Sequence, residues 1–235
     1  MEEFYKSGSK VVNALTIGYF VVACCEIMSE LFFYTPLIFI LKPLMPLLLV
    51  LLYWNSSDVR NPLYIIAMVL SSVTNALFIP DDPKALFFGL IVFTIHRILV
   101  VILVFRLIKI RDIVPIAIGT VPFLLVFFYM LASSDVPQES FAVMVLQNVL
   151  ISILGGLAVS NYMMHDNRRN SWLLICGLLF VALQFIVFVE KYYLMGFSPS
   201  MLRPVAMALN AFAFYTFYEF IMTTEKSDEN GTADA

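Results

Sequence analysis

Few residues of this chain could do chemistry, and most of those lie inside long apolar runs. Lys42, Asn75, His96, Arg97, Gln147, Asn148, Gln184 and Asn210 sit deep in such runs. Glu26, Glu30, Glu190, Tyr215 and Glu219 sit nearer their ends. An ionisable side chain inside a bilayer costs about 2.5–3.5 kcal/mol on insertion scales, so each buried one needs a partner or a task. Lys42, beside Pro43, reads as a paired or ligand-binding cation, or as a stem that snorkels to the headgroups. His96 and Arg97 are neighbours about 100° apart around a helix, so at least one turns inward. His96 either makes a structural hydrogen bond or serves a site. Asn75, Gln184 and Asn210 read as interhelical glue or as site residues. Tyr215 and Glu219 are one turn apart and share a face.

Other chemistries lack their residues. There is no nucleophile elbow, phosphate loop or zinc-type histidine pair. With two histidines, His96 and His165, and three cysteines, two of them adjacent (Cys24, Cys25), neither a metal site nor a disulfide framework is expected. No cofactor is expected either.

The elements that hold these residues are membrane spans. Of 235 residues, 61% are hydrophobic and 13% charged, and the mean hydropathy is +0.91. Soluble domains carry about 25% charged residues. A span needs about 20 mostly apolar residues. Runs of that kind fall at 10–28, 31–53, 62–80, 85–106, 113–133, 140–162, 171–190 and 203–222. The first is expected to be a span rather than a cleaved leader. The fold class is therefore all-α: a polytopic transmembrane bundle of about eight helices over residues 1–224, with a disordered tail at 225–235. Breaks carry turn chemistry at Asn55–Asp58, Pro80–Pro83, Ser133–Asp135, Asp166–Asn170 and Gly196–Pro199. The first break, near Ser29 and Glu30, reads as a tight hairpin.

Lys and Arg set the orientation. With the N-terminus in the cytoplasm, Lys6, Lys10, Arg60, Arg106, Lys109, Arg111, Arg168, Arg169 and Lys226 face inward, and Lys84, Lys191 and Arg203 face outward. Both termini are then cytoplasmic and the tail is too. Trp54, Trp172, Tyr192 and Tyr193 read as interfacial anchors. Ser152, Gly156 and Ser160 form a small-residue stripe for close helix packing. A net charge of −3 gives no reason to expect nucleic acid. Membrane lipids are the expected partners. The short connections fit a bacterial inner membrane, with the endoplasmic reticulum as the alternative.

An ordered set of motifs resembles the YhhN-like family, which includes the lysoplasmalogenases, over roughly 20–222. The set is Glu30-Leu31, then Lys42-Pro43-Leu44 with its leucine run, then Ser71-Ser72-Val73-Thr74-Asn75-Ala76-Leu77. Gly89, Phe93 and His96 follow in the fourth span, Phe180 to Lys191 in the seventh, and Tyr215 in the eighth. The resemblance implies an eight-span protein and hydrolysis of the vinyl ether bond of lysoplasmalogens. It also shows departures. The family's aspartate in the third span falls on Asn75, that of the seventh on Gln184, and its glutamine of the eighth near Tyr218 and Glu219.

Vinyl ether hydrolysis begins with protonation of an alkene carbon to an oxocarbenium ion. Water adds, and the hemiacetal collapses to an aldehyde and a glycerol lipid. That needs a carboxylic acid and a second carboxylate, each worth about 10²–10⁴-fold. An amide supplies neither. Two readings stand. In one, the chain is a hydrolase in which His96, Glu190 or Glu219 replaces the missing acids. In the other, it binds a lysophospholipid or ether lipid without catalysis, through Lys42, Asn75, Arg97, Gln184 and Tyr215. A small carrier is a third and weaker reading.

Overall fold

The computed structural model describes residues 2–80, 82–108, 112–194 and 202–233, with side chains between residues 10 and 227 of those segments. Asp81, Lys109, Arg111, Gly196, Phe197, Ser198 and Pro199 lie outside the described residues, and the side chain of Lys6 outside the described side chains.

Apolar runs punctuated by Asn, Asp and Pro become helices with defined starts. The helices are α1 (Glu2–Leu31), α2 (Thr35–Ser56), α3 (Pro62–Leu77), α4 (Pro83–Leu107), α5 (Val114–Ala132), α6 (Gln138–Met164), α7 (Arg168–Phe188) and α8 (Leu202–Ala233). Asn61, Asp82 and Asn167 cap α3, α4 and α7 by accepting from the backbone N–H of Leu63, Ala85 and Asn170. Pro62 and Pro83 start α3 and α4, where a missing N–H costs nothing. After Phe188, α7 widens into a π-helical turn, Val189–Tyr193.

Seven of these helices are long and apolar enough to cross a membrane, and α3 is shorter. The span expected at 62–80 stops at Leu77, giving 16 residues. At 1.5 Å per residue α3 rises about 24 Å, less than the full hydrocarbon thickness. The chain is a multi-pass membrane protein.

Helices α1, α2, α3, α4, α6, α7 and α8 pack in that order, and α8 returns to α1, so they close a ring. Helix α8 also touches α2 across it. Helix α5 packs on the outside of α6. The packing there is close: a Cβ on Gly156 would fall 2.7 Å from the Thr120 backbone nitrogen. The outer face of α5 carries exposed Ile118 and Leu125, a surface suited to lipid.

Two other boundaries differ from the sequence reading. Helix α1 does not break near Ser29 and Glu30 but runs to Leu31. The Ser29 hydroxyl bonds back to the Cys25 carbonyl, and Glu30 is held by Lys42. The turn follows, with Phe33 at φ 56° in the left-handed region. The boundary placed after Thr224 falls inside α8. Glu225 is buried and accepts from the Tyr53 hydroxyl (2.6 Å) and the Ser57 hydroxyl (2.6 Å). The Tyr53 oxygen also accepts from the Asn61 N–H (2.7 Å), so this one carboxylate ties α8 to α2 and the loop after it.

Candidate functional site

The deep polar residues fall into two sets on different helices. The first spans α1, α2 and α3. Pro46 has no N–H, so the carbonyl four residues back, that of Lys42, has no partner within α2. The Asn75 side chain of α3 fills the gap, its Nδ2 donating to the Lys42 oxygen at 2.9 Å. Ser72, one turn earlier, donates to the Pro43 carbonyl at 2.7 Å. The Lys42 ammonium turns the other way, to Glu30 Oε1 of α1 at 2.7 Å. Glu26, one turn before Glu30, is fully buried and neither carboxyl oxygen has a hydrogen-bond partner.

The second set spans α4, α6 and α7. Gln147 donates to the Leu90 carbonyl and the Thr94 hydroxyl. Gln184 donates to Asn148 Oδ1 at 3.2 Å, and Asn148 to the Phe127 carbonyl. Each amide thus has a partner on a neighbouring helix, which is glue for the bundle. One turn along α4, α6 and α7 lies a cleft lined by Phe93, His96, Arg97, Val100, Val101, Leu150, Ile151, Leu154 and Phe180.

The two ionisable groups of the cleft differ in how they are held. His96 Nδ1 lies 2.7 Å from the Ala67 carbonyl. A carbonyl can only accept, so Nδ1 carries the proton and Nε2 is the nitrogen left for chemistry. The ring stacks on Phe93 (5.9 Å, 7°) and meets Phe214 edge-on. Arg97 is buried, with its guanidinium carbon 4.3 Å from the Phe93 ring centroid. Among the described residues no carboxylate acts on it, and its Nη1 has no hydrogen-bond partner. An unfilled guanidinium donor beside an apolar cleft can hold an anionic oxygen.

The residues expected to share one pocket therefore do not. Lys42 and Asn75 meet in the α1–α2–α3 set, Gln184 is taken by Asn148, and His96 and Arg97 line the cleft. The stand-in acids disperse too. Glu190 pairs with Arg203 at 2.8 Å on an accessible rim. Glu219 sits on α8 one turn from Tyr215, whose ring stacks on Tyr19 at 6.0 Å. Asn210 is buried on α8.

Glu26 and Glu30 lie toward the end of α1, and both are buried within the bundle. Their spacing was the available signal: Tyr19, Ala23, Glu26 and Glu30 follow a helical stripe, and all four are buried. Nothing local in the sequence marks Ser72 or Thr94 as a hydroxyl that meets a group of a neighbouring helix. Among the described residues no group of three or more His, Cys, Asp or Glu could hold a metal ion.

A family model described as the YhhN family matches residues 37–220. No curated protein and no solved structure matches the chain.

Proposed function

Since the chain belongs to the YhhN family, matched over most of its length, we propose that it binds a single-chain phospholipid within its helix bundle without cleaving it. The observation that carries this reading is the buried Arg97, with Nη1 unpartnered beside a cleft of Val, Leu, Ile and Phe side chains. A charged donor with no acceptor is costly, and a bound phosphate oxygen would satisfy it. The apolar lining matches the chemistry of an acyl chain, and the cleft, whose volume is about 10 Å³, must open between its helices to take one. A lysophospholipid combines the two.

Hydrolysis of a lysoplasmalogen vinyl ether is the finer activity that family resemblance suggests. In this chain Asn75 and Gln184 stand where that resemblance puts acids, and both are occupied as hydrogen-bond donors. Neither can hand a proton to an alkene carbon. Neither Glu190 nor Glu219 lines the cleft, which further favours binding over cleavage.

The test is binding of lysophosphatidylcholine to the purified protein in detergent, beside monoacylglycerol, which has the same chain and no phosphate. The phospholipid should bind more tightly. Arg97→Met should weaken it about 10–100-fold, the worth of a charge-assisted hydrogen bond, and leave monoacylglycerol little changed. Equal binding of both lipids, unaltered in Arg97→Met, would refute the reading.

A further inference from the structure

Glu26 is unlike the other buried polar groups of α1, α2 and α3. Among the described residues, the buried side-chain polar atoms without a hydrogen-bond partner are both oxygens of Glu26, the hydroxyls of Tyr64 and Thr74, and Arg97 Nη1. Glu26 is the one carboxyl in that group. Its charged neighbours are Lys42 and Glu30. The charged group facing it from a packed element is Lys42 on α2. On α1 itself the titratable neighbours are Glu30 and Tyr19, whose hydroxyl is given to the Ala211 carbonyl at 2.7 Å.

The charges do not balance. Two carboxyls one helical turn apart share one cation, and that cation lies 2.7 Å from Glu30. A bare carboxylate at Glu26 would be buried inside a span with no donor, the most costly state for such a group. A neutral carboxylic acid there leaves only an ordinary polar group short of a partner, a far smaller cost.

We infer that Glu26, Glu30 and Lys42 form a proton-binding site, in which Glu26 holds an exchangeable proton while Lys42 neutralises Glu30. The site draws on neither the Arg97 cleft nor the lipid bound there. It gives the bundle one buried carboxylic acid, on α1 rather than on α3 or α7. The arrangement makes Glu30 decide the state of Glu26. With Glu30 uncharged, Lys42 is released, and Glu26, one turn away, becomes its partner and gives up the proton.

Infrared spectroscopy of the full chain in dodecyl maltoside, which has no carbonyl group, tests this. At neutral pH the wild type should show a carboxylic-acid C=O band that shifts in D2O. The band should vanish in Glu26→Gln and persist in Glu190→Gln. Glu26→Asp, which keeps a carboxyl and displaces the band, serves if Glu26→Gln does not fold. Glu30→Gln should abolish the band although Glu26 is still present. Absence of the band from the wild type, its survival in Glu26→Gln, or its persistence in Glu30→Gln would each overturn the site.

Discussion

Asn75 on α3 donates its side-chain amide to the Lys42 carbonyl on α2 at 2.9 Å, and that carbonyl is free because Pro46 brings no N–H to it. One defect in a helix is thus repaired by the neighbouring helix. The side chain of the same Lys42 leaves α2 toward Glu30 of α1.

Removing the donor should be felt as a lost hydrogen bond plus a buried carbonyl without a partner. Asn75→Ala should lower stability by about 1–3 kcal/mol, read from thermal or denaturant unfolding in detergent. Pro46→Ala supplies an N–H to the same carbonyl. The cost of Asn75→Ala should therefore shrink in the Pro46→Ala background. Additive effects of the two changes would argue against this linkage.

Glu225 bonds two hydroxyls of α2 and its following loop with its two oxygens. Hydrogen bonds to a charged group contribute about 1.5–3 kcal/mol each. Glu225→Ala, or a chain ended at Thr224, should unfold earlier and lose hydrogen-exchange protection at the end of α2 near Tyr53. A chain ended at Lys226 should keep both. Equal protection with and without Glu225 would show that this tie contributes little.

Helix α5 reaches the bundle through α6, at a contact with no room for a methyl group. An added Cβ at Gly156 would lie 2.7 Å from the Thr120 backbone nitrogen and 2.8 Å from its Cα. Those atoms belong to a helix backbone and cannot turn aside. Gly156→Ala should cost about 1–3 kcal/mol of overpacking. Gly18→Ala is the control, since a Cβ there meets nothing within 4 Å. The pair can be compared by melting temperature.

Catalysis can be checked directly by measuring aldehyde released from lysoplasmalogen. The native chain should release none above the detergent blank. Asn75→Asp combined with Gln184→Asp puts carboxyls at the two positions, and each restored acid or base is worth about 10²–10⁴-fold if the geometry suits it. Aldehyde from the native chain, lost in His96→Ala, would sink the binding reading. His96 would then be the base, through Nε2.

The fold and the site differ in how far the sequence reaches them. Hydropathy alone determined a multi-pass helical protein, because any backbone crossing a bilayer must satisfy its own hydrogen bonds and a helix does so locally. Asp82 and Asn167 fall within breaks placed from the sequence, and each caps the helix that follows. The sequence also isolated Lys42, Asn75, His96, Arg97 and Gln184 as polar residues in need of partners. Their partners were not legible, because each lies on another helix: Glu30 for Lys42, the Lys42 carbonyl for Asn75, Ala67 for His96, Asn148 for Gln184. Only the tertiary structure decided that these residues divide between two sets, that Glu26 and Glu30 are interior, and that Glu225 belongs to the bundle. Spacing along a chain fixes which face of a helix a residue occupies, whereas the order of helices around the ring fixes what that face meets.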